Sequence, residues 1–123
     1  DPVRRRIEYA CAGHNPPRLC RAGAISGLDE GRGLPLGVTP EAPYRDVETT
    51  LSVGDVLVFY TDGITEAMNA SSELLGLERL DTTLQGCQGN AQEPLAAMLE
   101  DLAAFTGGAP PNDDRTMLVA RLA

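Results

Sequence analysis

Ile7, Tyr9 and Cys11 alternate with Glu8, Ala10 and Ala12, the period of a β-strand that buries one face. The alternation stops at Gly13-His14-Asn15-Pro16-Pro17, where every residue favours a turn. Arg18 to Ala22 is then predicted to return as the second arm of a hairpin. Residues 23–43 contain five glycines and three prolines and read as loop, with room for one short strand at Ala24-Ile25. From Tyr44 to Leu51 the alternation resumes, with Val47, Thr49 and Leu51 on one face. Val53-Gly54-Asp55 turns the chain into Val56-Leu57-Val58-Phe59-Tyr60, a continuous apolar run that predicts a strand covered on both faces.

The period then becomes helical. Leu77, Leu80 and Leu84 share one face between Gly76 and Gly86. Leu95, Met98, Leu99, Leu102 and Phe105 predict a second helix that starts between Asn90 and Glu93 and stops at Gly107-Gly108; their stripe reads as core or as a dimer face. Met68 to Gly76 reads either as a mobile flap or as an ordinary connection. Thr116 to Leu122 closes the chain as a strand, with Met117 and Val119 on one side. Strands, then helices, then a strand predict an α+β domain, and no repeat or low-complexity linker interrupts it.

At 123 residues the chain is one domain's worth, 42% hydrophobic and 23% charged, which excludes a disordered polymer and a membrane protein. A net charge of −8 argues against nucleic acid and anionic membrane surfaces as partners. All ten basic residues are arginine, a compositional bias of a GC-rich genome more than a physical need. Three cysteines (Cys11, Cys20 and Cys87), no signal-peptide pattern and no apolar stretch of spanning length predict reduced thiols and a cytoplasmic protein. Asp1-Pro2-Val3 leads almost directly into a strand pattern, so an excised piece of a longer protein is expected.

Carboxylates stand at two places that chemistry can use. Thr61-Asp62-Gly63 follows the most apolar strand, with Glu66 a helical turn later, and Asn112-Asp113-Asp114 precedes the last strand. A sheet holds such strand ends rigidly, and two of them on neighbouring strands can converge on a hard cation that takes oxygen ligands, such as Mg²⁺ or Mn²⁺. Gly63 lets the chain approach closely. The plain alternatives stand beside this one: Asp-Gly is a common turn, Asp at a strand-to-helix junction is often an N-cap, and Asp113-Asp114 also fits a solvated loop.

YACAGHNPPRL (9–19), GLPLGV (33–38), LSVGDVLVFYTDGITEAMN (51–69), ELLGLERL (73–80) and DDRTMLVARL (113–122) resemble, in order and spacing, the C-terminal half of SpoIIE-type phosphatases of the PPM family. The resemblance covers essentially the whole chain. It implies part of an α-β-β-α sandwich with mainly antiparallel sheets, and two metal ions, Mn²⁺ or Mg²⁺. It also implies hydrolysis of phosphoserine or phosphothreonine by a metal-bound water, with no covalent phospho-enzyme. The usual substrate in that family is a phosphorylated anti-sigma-factor antagonist of the STAS fold. Carried over by position, Asp62 and Asp113 resemble metal ligands and the catalytic pair, Asp114 an outer neighbour that orients waters or Asp113, and Gly63 the close approach to the metals.

The family's first metal aspartate has no counterpart before Ile7, so residues 1–123 are expected to be the C-terminal portion of one domain. By itself that portion is expected to be inactive and prone to associate, a homodimer being one outcome. A non-catalytic pseudophosphatase or interaction module is the alternative. His14, the only histidine, reads as a structural residue bonded to loop backbone, with general acid or phosphate contact as the other readings. Arg115 reads as holding Asp114 or touching substrate, Arg4-Arg5-Arg6 as a solvated flank or a phosphate grip, and the cysteines match no zinc spacing.

Overall fold

Residues 1, 3–86 and 90–123 are described by a computed structural model; Pro2 and Cys87 lie outside the described residues. Strand β7 (Val56–Tyr60) is buried along nearly its whole length, as its apolar run predicts, and the layers form around it. It pairs antiparallel with β3 (Arg18–Arg21) on one side and with β8 (Met117–Arg121) on the other. β4 (Ala24–Gly27) joins β3, so the sheet order is β4-β3-β7-β8.

Side chains of this sheet alternate between two apolar clusters. Cys20, Val56, Val58 and Tyr60 pack with Leu80, Leu84, Met98 and Leu102 of the helices α2 (Gly76–Gln85) and α3 (Gln92–Thr106). Leu19 and Leu57 on the other face meet Leu28, Ile7, Tyr9 and Leu51 beneath a second sheet, in which β1 (Arg6–Tyr9) pairs antiparallel with β6 (Val47–Thr50). Helices, one sheet and a second sheet thus stack in three layers, the predicted α+β class with mainly antiparallel pairing. Leu80, Leu84 and Met98 are essentially inaccessible to solvent, so truncating any of them costs about 2–5 kcal/mol.

The predicted strand through Ile7, Tyr9 and Cys11 breaks at Ala10. β1 stays in the two-stranded sheet, whereas β2 (Cys11–Ala12) pairs in parallel with β5 (Arg32–Gly33). The predicted hairpin between residues 7–12 and 18–22 does not form. β3 turns back on β4 instead, through Ala22-Gly23, both with positive φ (49° and 83°), the twist that suits a two-residue hairpin loop. Pro16 and Pro17 carry no N–H to support a return ladder, so that segment serves as a crossing between sheets.

On α3 the buried stripe is Pro94, Met98, Leu102 and Thr106, a spacing of four throughout, while Leu99 is 60% exposed. The Asn90 side-chain oxygen accepts from the N–H groups of Gln92 and Glu93 at 2.8 and 3.2 Å, and Gly107 in the left-handed region ends the helix. Arg18 pairs bidentately with Asp81 and ties β3 to α2. Arg79 pairs with Asp101 and lies over the Phe105 ring, tying α2 to α3.

Candidate metal centre

Because β7 and β8 are neighbours with Tyr60 opposite Met117, the end of one strand and the start of the other meet at one sheet edge. Thr61-Asp62-Gly63 leaves β7 there and enters a single helical turn, α1 (Asp62–Thr65); Asp113-Asp114 arrives there before β8. Five hydrogen bonds stitch the two segments. The Thr61 N–H donates to the Thr116 carbonyl at 3.1 Å, and the Thr61 hydroxyl donates to the Asp114 carbonyl and accepts from the Thr116 N–H, both at 3.0 Å. Arg115 Nε donates to the Gly63 carbonyl at 3.2 Å, and Asn112 Nδ2 to the Glu66 carbonyl at 3.4 Å.

Gly63 is required here for space. Its φ is not positive, but a Cβ would overlap the Asp114 carbonyl oxygen and lie 3.0 Å from the carbonyl carbon. Both acidic segments are therefore held at backbone level while their carboxylates face water. Asp62 Oδ1 accepts from the Gly63 N–H at 3.0 Å and Asp113 Oδ1 from the Asp114 N–H at 2.7 Å. Asp62, Asp113 and Asp114 are all exposed. Among the described residues none of the three is in an ion pair, although arginines pair with Asp1, Glu30, Glu48, Asp55, Asp81 and Asp101 elsewhere.

Asp62 also faces a cleft of about 190 Å³ shared with Thr61 and with Gly13, His14 and Asn15 of the turn after β2. Sequence reasoning placed His14 in that turn but not beside Asp62, because the turn follows a strand of another sheet. Its Nδ1 lies 2.9 Å from the Asn15 carbonyl, which can only accept, so Nδ1 carries the proton and the other ring nitrogen is left for other contacts. The backbone bond expected of His14 is present. Arg115 takes Gly63 as its hydrogen-bond partner in place of Asp114. Thr61 is the residue that sequence reasoning passed over: its hydroxyl joins both strand ends, and its place before Asp62 was the available signal.

The donors suit a hard divalent cation: exposed, unpaired carboxylates on rigid strand ends. Among the described residues no three His, Cys, Asp or Glu side chains are gathered closely enough to hold an ion. An ion bound by Asp62 and Asp113, with Asp114 beside them, would therefore need waters and further carboxylates to complete its ligand set.

Among proteins of known kind, the phosphoserine phosphatase RsbU of Bacillus subtilis is 26% identical over 119 residues, covering 96% of this chain and 35% of that protein. The SiaA-PP2C domain of Pseudomonas aeruginosa superposes with a TM-score of 0.84 at 24% identity, over 98% of this chain and 48% of that one. The phosphatase domain of the cell fate determinant SpoIIE from Bacillus subtilis, presoaked with Mn, superposes with a TM-score of 0.76 at 24% identity, over 99% and 52%. The chain thus spans about a third of RsbU and about half of each of the two domain structures. The model of the stage II sporulation protein E family matches residues 1–123, and with the PP2C-like fold just described it follows that this chain belongs to the SpoIIE family of PPM phosphatase domains.

Proposed function

We propose that the full-length protein hydrolyses phosphoserine or phosphothreonine on a regulatory protein, and that Asp62 and Asp113 hold a divalent cation for that reaction. The juxtaposition of the two acidic strand ends across β7 and β8 carries this reading. Mn²⁺ or Mg²⁺, two ions in the complete domain, would supply an acidified water and neutralise the phosphoryl oxygens. Asp114 orients Asp113 or its waters, Gly63 provides the close approach, and Thr61 and Arg115 keep the two segments in register. Similarity to a phosphoserine phosphatase and to a Mn-presoaked domain supports both substrate class and ion.

The finer expectations are part of the proposal. Residues 1–123 form the C-terminal portion of one domain, which coverage of about half of the matched domains supports. Completion of the dinuclear site then needs carboxylates from outside these residues, and the isolated chain is inactive. The phosphoprotein is an anti-sigma-factor antagonist of the STAS type, met in the cytoplasm; no helix among the described residues is long and apolar enough to cross a membrane. Two copies can associate through the outer edge of β8, where Leu118 is exposed.

Substitution in the full-length protein tests the reading. Asp62→Asn and Asp113→Asn should each nearly abolish Mn²⁺-dependent hydrolysis of a phosphoserine substrate. Near wild-type turnover in either variant would sink the assignment.

A further inference from the structure

Three large apolar side chains stand in solvent within five residues: Leu34, Leu36 and Val38 are 51%, 78% and 63% exposed. Their loop is held in shape at several points. The Tyr44 hydroxyl donates to the Leu34 carbonyl at 3.1 Å, the Val38 N–H reaches the Pro35 carbonyl at 3.4 Å, and β5 immediately before the loop is paired with β2.

The loop also has a definite neighbour. Pro35 lies so close to Gly13 that a Cβ on Gly13 would be 2.6 Å from Pro35 Cγ. Gly13, with His14 and Asn15, forms one wall of the cleft that contains Asp62. The apolar loop therefore abuts, through Pro35, the wall of the cleft that Gly13 forms. No residue between Arg32 and Glu41 is charged, in a chain whose net charge is −8.

A phosphoserine brings nearly two negative charges to a site built of carboxylates. A cation offsets those charges but attracts any phosphate alike, so selection of one polypeptide must come from contacts beyond the phosphoryl group. An ordered apolar surface beside the cleft offers such a contact. We infer that the Leu34–Val38 loop docks an apolar residue flanking the phosphoserine of the protein substrate. The inference rests on the phosphatase reading above.

The test uses the full-length protein with Mn²⁺ and three probes: p-nitrophenyl phosphate, a phosphoserine peptide with leucines on both sides of the phosphoserine, and the same peptide with serines there. The wild type should favour the leucine peptide by about tenfold in kcat/KM, the discrimination that a small difference in apolar contact provides. Leu36→Ser combined with Val38→Ser should remove that preference, through KM, and leave p-nitrophenyl phosphate turnover unchanged. Equal rates on the two peptides in the wild type, or a preference that survives the double substitution, overturns the docking role. A parallel loss on p-nitrophenyl phosphate overturns it too, since the loop would then support the site itself. No hydrolysis of any probe by the wild type removes the phosphatase reading and this inference with it.

Discussion

Gly63→Ala isolates the contact that brings the acidic strand ends together. The new Cβ would lie about 1 Å inside van der Waals contact with the Asp114 carbonyl oxygen. That oxygen belongs to backbone and already accepts from the Thr61 hydroxyl, so it cannot swing aside as a flexible side chain would. Gly63 is buried in α1, and the backbone there needs no positive φ, so the whole effect is steric. Overpacking of this kind costs about 1–3 kcal/mol, which leaves a domain of ordinary stability (roughly 5–15 kcal/mol) folded. A shift of about 1 Å in a group that positions the reacting centre costs on the order of 10²-fold in rate. In the full-length protein, Gly63→Ala should thus lose about 10²-fold in Mn²⁺-dependent kcat/KM on a phosphoserine peptide, with only a modest drop in Tm. Gly86→Ala is the control: its Cβ meets nothing within 4 Å and its φ is −74°, so activity should not change. Activity within about threefold of wild type in Gly63→Ala would refute the claim that close approach of Asp113-Asp114 to Gly63 builds the site.

Arg18→Ala strands the Asp81 carboxylate at the β3–α2 contact and should cost roughly 2–4 kcal/mol in urea unfolding, whereas Arg18→Met with Asp81→Leu should recover most of it; equal losses would show that the pair itself stabilises the fold. Burial alone would raise the Asp55 carboxyl, but hydrogen bonds from Arg21 and the Ser52 N–H hold it below its ordinary value, and Arg79 foremost, with Thr83, does the same for Asp101. Groups held low in the folded state add stability above their unfolded value of about 3.9 and lose it as pH falls through the folded value. Stability should therefore be level from about pH 7 to 5 and decline below about pH 4; an unchanged acid limb in Asp55→Asn with Asp101→Asn would contradict this. Thiol titration after denaturation without reductant should count three thiols in this segment, and a count of one would contradict the reduced compartment expected from the sequence.

The central strand and both long helices were legible because each obeys one strong rule. Val56–Tyr60 is unbroken apolar sequence, and α2 and α3 carry a helical period, α2 between Gly76 and Gly86 and α3 up to its stop at Gly107. Strand pairing was not legible between residues 7 and 33. Period two marks a strand but not its partner, and the separation of Tyr9 from Cys11 into two sheets depends on contacts with β6 and β5, far along the chain. The Ala22-Gly23 turn lacks the Asn-Gly or Asp-Gly signal that announces a hairpin. At the candidate metal centre, the carboxylates could be read from their places beside core strands. What joins them could not: the Thr61 hydroxyl and Arg115 act on backbone carbonyls more than fifty residues away, which no local pattern encodes. The His14 turn lies beside Asp62 for the same reason, since residues 13–15 and 61–62 share a cleft although nearly fifty residues separate them.

Calorimetric titration of Mn²⁺ into the full-length protein and into its Asp113→Asn variant, with hydrolysis of a phosphoserine peptide followed on the same samples, tests most directly that the two strand ends hold the ion on which activity depends. Expected are saturable binding in the wild type, turnover that rises with occupancy, and loss of at least one bound ion together with turnover in Asp113→Asn. Unchanged stoichiometry and affinity in the variant, or turnover that persists after its ion is lost, would contradict that role.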